Sequence, residues 1–111
     1  MTKQGATGLS VLVVGSRGYI GPVLCSFLRE AGAQVLEVDA GWFSSPESTP
    51  TSRLADIRLV ALDDLDVVPD AIIFLAAVSN DPMGLLYEAA TFSVNVDAAV
   101  QLAEQARELG V

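Results

Sequence analysis

The sequence predicts an α/β fold, an open parallel sheet with helices on both faces. Three observations predict it. Leu9, Val11, Leu12, Val13 and Val14 form a nearly unbroken apolar run, the pattern of a central parallel strand covered on both sides. Gly15, Gly18 and Gly21 follow at once and open an amphipathic segment that reaches about Ala31. A second strand, Gln34 to Val38, then ends on an acid, Asp39.

Each element has its own reason. Met1 to Gly8 is small and polar and reads as a frayed lead-in. In the glycine turn, Gly15 permits the tight bend, Gly18 lets the backbone approach a diphosphate, and Gly21 lets the helix lie close on the sheet. The main-chain N–H groups at this positive helix end suit an anion. Ile20, Leu24, Phe27, Leu28 and Ala31 recur at helical spacing and predict one buried stripe. Pro22 falls in the first turn, where its missing N–H costs little, and Gly32 is a natural stop. A strand, a glycine turn, a helix, a second strand and an acid about 20 residues beyond the glycines make up the dinucleotide-binding fingerprint of a Rossmann-type fold.

Asp39, at the carboxyl end of the second strand, is placed to accept from ribose hydroxyls and to repel a 2′-phosphate, which favours NAD over NADP. Arg17 pulls the other way, because an arginine in the turn can pair with a 2′-phosphate. Ala40 to Ser52 is rich in Ser, Thr, Pro and Gly and reads as a loop in place of a helix; Trp42 and Phe43 anchor it or shield the adenosine side. Arg53 to Ile57 predicts a short third strand ending in Asp56-Ile57, with the acid at its tip placed beside where an adenine would rest. Leu62 to Leu65 predicts a helical turn or two. Asp70 to Ala77 reads as a fourth strand too apolar for a sheet edge, followed by the loop Ser79 to Gly84. From about Leu85 to Leu109 the spacing predicts a long helix that buries Phe92, Val96, Ala99, Ala103 and Ala106. Asn95 falls on its inner part, where a buried amide must find a partner. The expected strand order is 3-2-1-4.

Composition narrows the function further. The 111 residues fit one domain, and 51% hydrophobic content suffices for a core. A net charge of −8 repels phosphate backbones and anionic lipid, so neither nucleic acid nor a membrane is an expected partner. With no histidine, a Ser–His triad is excluded within these residues, and no metal site is expected. The single cysteine, Cys25, reads as a buried thiol of the first helix. No leader pattern or membrane-spanning apolar run is evident, so the expected setting is cytoplasmic.

Taken together, Val14-Gly15-Ser-Arg-Gly18-Tyr-Ile-Gly21, Asp39, Asp56-Ile57, Leu75-Ala-Ala77 followed by Val78 to Pro82, and Asn95-Val-Asp97 before a helix ending in Glu108-Leu-Gly-Val111 form a recognisable set. The set resembles the extended short-chain dehydrogenase/reductase family, in particular its NAD-dependent sugar-nucleotide epimerases and dehydratases. The resemblance implies that Gly15, Gly18 and Gly21 hold the diphosphate, with turn contacts from Tyr19 and Ile20. Asp39 would take the ribose, Asp56 and Ile57 would flank adenine, Leu75, Ala76 and Ala77 would pass beneath the cofactor, and Asn95 would be the family's helix asparagine. It further implies a nucleotide-sugar substrate and a homodimer of the complete enzyme.

The family's chemistry uses a tyrosine with a lysine four residues later, and here the only lysine is Lys3. The chain is therefore expected to be the cofactor-binding half, stopping before a fifth strand, with no catalytic residue of its own. The alternatives are a stand-alone, non-catalytic dinucleotide-sensing module and a structural domain with a vestigial site. The sequence leaves open the sugar nucleotide and the choice among epimerase, dehydratase and reductase.

Overall fold

A computed structural model describes residues 5–39, 52–54, 57–76 and 88–111, with side-chain surroundings omitted for 52–54, 57 and 90. Ser10–Val14 forms β1, Gly21–Glu30 α1, Gln34–Asp39 β2, Ser52–Leu54 β3 and Ala71–Phe74 β4. Two 3₁₀ turns, Ile57–Leu59 and Leu62–Asp64, precede β4. The C-terminal helical run comprises α2 (Glu88–Phe92), a π-helical segment (Ser93–Ala98) and α3 (Ala99–Leu109).

The sheet is parallel, and its neighbours run β3-β2-β1-β4. β1 pairs with β2 from Ser10–Gln34 to Val14–Val38, and with β4 from Val11–Ala71 to Val14–Phe74. The Asp70 N–H to the Ser10 carbonyl and the Leu75 N–H to the Val14 carbonyl, both 2.7 Å, extend the β4 pairing at each end. The Asp70 carboxylate in turn accepts the Ser10 N–H at 2.8 Å. Every β1 residue is buried, and its alternation splits the core into two clusters. Val11 and Val13 pack with Cys25, Ala33 and Val35 on the α1 side, while Leu12 and Val14 pack with Val38, Leu62 and Leu102 on the other. That is why the run is continuous rather than alternating.

The helices are rotated from the expected stripes. α1 buries Gly21 and Cys25, with Leu24 and Leu28 half-buried, whereas Phe27 is 67% exposed and Ile20 also faces out. The glycine at position 21 has no side chain to hold the helix off, so the contact line runs through it rather than through Ile20 and Phe27. In the last helical run, Ala98 and Leu102 are buried, while Phe92 and Val96 are exposed. The π-helical segment is the reason. Its wider turn shifts the phase, so one 3.6-residue period read across positions 92–106 cannot hold on both sides. Asn95 lies within this segment and is exposed, not buried.

The third strand also differs. It spans Ser52–Leu54, and Ile57 begins a 3₁₀ turn instead of ending a strand. Gln105 fixes the following stretch by accepting the Leu62 N–H at 2.8 Å and donating to the Val60 carbonyl at 3.3 Å. Among the described residues β4 has one neighbour, β1, although its apolar character suits a strand covered on both sides. Its other side opens on a groove of about 510 Å³ shared with α3, lined by Ile72, Phe74, Ala99, Leu102, Ala103 and Ala106 among others. The expected loop Ala40 to Ser52 with Trp42 and Phe43, Asp56, Ala77, the loop Ser79 to Gly84, and the helix start at Leu85 lie outside the described residues, except Ser52, which is in β3. Among the described residues no helix is long and apolar enough to cross a membrane.

Cys25 is buried, and its thiol pKa is pushed up from 9.0 to about 11, first by burial and then by the Glu37 carboxylate, against a smaller opposing effect of Arg29. The thiol is therefore expected to resist Ellman's reagent in the folded protein at pH 8 and to react on unfolding. Stability from keeping it neutral is present below pH 9 and is lost as the pH rises through 11; Cys25→Ala should flatten that loss in urea titrations, by roughly 2–3 kcal/mol across the window.

Candidate functional site

The site forms where β1, β2 and β4 end together. β1 leaves the sheet into Gly15, whose φ of +88° favours glycine. Its N–H bonds the Val38 carbonyl at 2.7 Å, and the Ser16 N–H shares that carbonyl at 3.4 Å. The next amide, Arg17, donates to Asp39 Oδ2 at 2.9 Å. The start of the turn is thus tied to the last two residues of β2. The N–H groups of Tyr19 and Ile20 bond no other described residue, as expected for the open mouth of a helix.

The three glycines are needed for different reasons. A Cβ on Gly15 would lie 2.6 Å from the Ala76 nitrogen and 2.9 Å from the Leu75 carbonyl carbon, so β1 and the end of β4 approach too closely for any side chain. A Cβ on Gly21 would strike the Ser16 carbonyl, which makes that glycine a packing requirement. Gly18 is different: its φ is not positive, and a Cβ there would meet only the Gly15 oxygen at 3.7 Å, an ordinary contact. Among the described residues no atom requires a glycine at position 18, and none stands in the space above it closer than that oxygen. This is a cradle that a side chain would fill, which fits the demand of a diphosphate lying on the backbone.

The structure brings Gly15, Leu75 and Ala76 into contact and places Asp39 against Arg17. Tyr19 stands 99% exposed beside the turn. Asp39 and Arg17 make interactions beyond the amide contact, as does Asn95. The turn at Ile57–Leu59 packs against the π-helical segment that contains Asn95, and Arg58 donates to Ser93 Oγ at 3.1 Å. Asp56 and Ala77 lie outside the described residues, as does the side chain of Ile57.

Two features escaped sequence reasoning. The Val38 carbonyl is a main-chain acceptor for the turn, and no side-chain pattern signals such a role. Ser16 Oγ is buried and bonds none of the described residues, an unsatisfied hydroxyl worth about 1–3 kcal/mol inside the turn.

Residues 11–111 match the model of the NAD dependent epimerase/dehydratase family. No curated protein sequence matches the chain. Among solved structures, the epimerase Mth375 from Methanothermobacter thermautotrophicus is 25% identical with a TM-score of 0.82, over 98% of this chain and 34% of its own. WbmF from Bordetella bronchiseptica, in complex with NAD⁺, is 25% identical with a TM-score of 0.77, over 91% and 33%. The UDP-glucose-4-epimerase from Stenotrophomonas maltophila, with bound NAD and formylated UDP-arabinopyranose, has the same fold at 24% identity and a TM-score of 0.78, over 93% and 34%. The chain spans about a third of the length of the structures it matches.

The contrast among the glycines is testable by calorimetric or denaturant unfolding. Gly15→Ala is expected to cost about 2–4 kcal/mol, from its backbone conformation and its contact with Ala76. Gly18→Ala is expected to stay within about 0.5 kcal/mol of the parent.

Proposed function

The chain belongs to the NAD-dependent epimerase/dehydratase family, and we propose that it is the cofactor-binding part of an NAD-dependent sugar-nucleotide epimerase, dehydratase or reductase. The observation that supports this most is Gly18, a glycine that no atom of the described residues requires, set between helix-mouth amides that bond none of those residues and the carboxylate of Asp39.

On this reading Gly15, Gly18 and Gly21 shape the diphosphate cradle, and the amides of Tyr19 and Ile20 donate to it. Asp39 accepts from the adenosine ribose, with Asp56 and Ile57 beside adenine, Leu75 to Ala77 beneath the cofactor and Asn95 farther along the cleft. A fixed carboxylate next to the ribose disfavours a 2′-phosphate, so NAD is the preferred cofactor and Arg17 does not reverse the choice. NAD-bound neighbours such as WbmF support the same preference.

The cofactor supplies hydride transfer to and from a sugar carbon; this chain binds and orients it and holds its diphosphate on main-chain donors. The sequence contains no tyrosine with a lysine four residues later, so the family's acid/base pair is assigned to a part of the enzyme outside these residues. In this reading the sheet is the first half of a Rossmann fold, ordered 3-2-1-4 ahead of a fifth strand, within a homodimeric, cytoplasmic enzyme.

A second reading, a non-catalytic dinucleotide-sensing module, is favoured by the same missing pair. Isothermal titration of the 111-residue chain tests both. The expected result is NAD binding at least about tenfold tighter than NADP binding, equivalent to about 1.4 kcal/mol, and loss of binding in Gly18→Val. Tight NAD binding by the isolated chain favours the sensor, and unchanged binding in Gly18→Val overturns the assignment of the cradle.

A further inference from the structure

The carboxylate at the end of β2 does two things at once, and the second is visible without any ligand. Its Oδ2 accepts the Arg17 N–H at 2.9 Å, across 22 positions of sequence. The neighbouring Val38 carbonyl takes the Gly15 and Ser16 amides. The contacts to Val38 are main chain to main chain, whereas the Asp39 contact depends on a side chain.

We infer that Asp39 is a positioning residue for the anion cradle, and not only a reader of the ribose. By holding the Arg17 amide it fixes the Ser16–Arg17 peptide, one step before Gly18. The amides of Tyr19 and Ile20, which bond none of the described residues, are then set in place before a diphosphate arrives, which lowers the ordering cost of binding. A carboxylate offers about four acceptor positions, so holding an amide and accepting from hydroxyls are compatible. The inference rests on the nucleotide reading of the site. Its consequence for specificity is that the ribose and diphosphate subsites share one side chain. Removing the acid to admit a 2′-phosphate would loosen the grip on the diphosphate as well.

The charge of Asp39 makes the test sharp. A negative charge beside an anion site opposes binding, so its removal alone would strengthen the hold on a diphosphate. Any loss of affinity for a ligand without ribose hydroxyls must then come from the turn. The probes are ADP and 2′,3′-dideoxy-ADP, titrated into the 111-residue chain and its variants. Asp39→Ala and the similarly shaped Asp39→Leu both remove the acceptor, and at least one is needed folded. Asp39→Asn keeps a carbonyl acceptor for the Arg17 amide.

The expected result is a loss of about tenfold or more in affinity for 2′,3′-dideoxy-ADP in Asp39→Ala or Asp39→Leu, with Asp39→Asn within about threefold of the parent. Hydrogen exchange of the Arg17 amide in the ligand-free protein should speed up in the loss variants and not in Asp39→Asn. Unchanged or tighter dideoxy-ADP binding in the loss variants, with ADP still bound by the parent, overturns the positioning role and leaves the nucleotide site standing. Failure of the parent to bind either nucleotide overturns the nucleotide reading and this inference with it.

Discussion

The structure depends on one close approach. β1 runs out into Gly15 so near the backbone of Leu75 and Ala76 that a single methyl group would not fit. The same residue is hydrogen-bonded to the end of β2 through the Val38 carbonyl. Three strand ends are therefore drawn to one point, and the chain must turn sharply there with a positive φ. The burial of β1 on both faces holds that arrangement, because a shift of β1 would disturb both core clusters together. The turn is in this sense a product of the sheet, and what it offers to a ligand follows from where the strands stop.

Much of this was legible in the residues because the constraints are local. A continuous apolar run, glycines spaced by three and an acid one strand later each limit the backbone within a few positions. The structure places Gly15 and Gly21 where space forbids a side chain, and Asp39 where its carboxylate meets the turn. The helix faces were less legible, because periodicity gives the amplitude of a stripe more reliably than its orientation. Phe27 carries far more apolar surface than Cys25, yet the thiol is inside and the ring outside. The direction was decided by Gly21 against Ser16, a backbone contact. Asn95 and Ile57 were misplaced for a similar reason, since a π-helical segment and a 3₁₀ turn leave little trace in composition.

Family membership and these local features speak to different ranges of the chain. The family model reaches from residue 11 to residue 111, whereas the geometry that bears on ligand binding is concentrated between Val14 and Asp39 and at the end of β4. The other end of the fold is occupied with support. Gln105 clamps the stretch between the 3₁₀ turns, Leu62 is fully buried beneath it, and Leu102 completes the cluster against Leu12 and Val14. These residues keep the strands in place, and the strands keep the turn in place.

The wide turn at Ser93–Ala98 has a consequence for how the last helical run tolerates change. One residue corresponds to about 100° of azimuth around an α-helix. A one-residue deletion within an ordinary α-helix would swing everything upstream by roughly that angle. In this stretch it would instead remove the surplus residue and let the segment close to α-helical winding, with Ser93 still able to meet Arg58 and Leu102 still in its seat. A deletion in α3 has no such surplus to draw on, so the wide turn is where this run should best accept the loss of a residue.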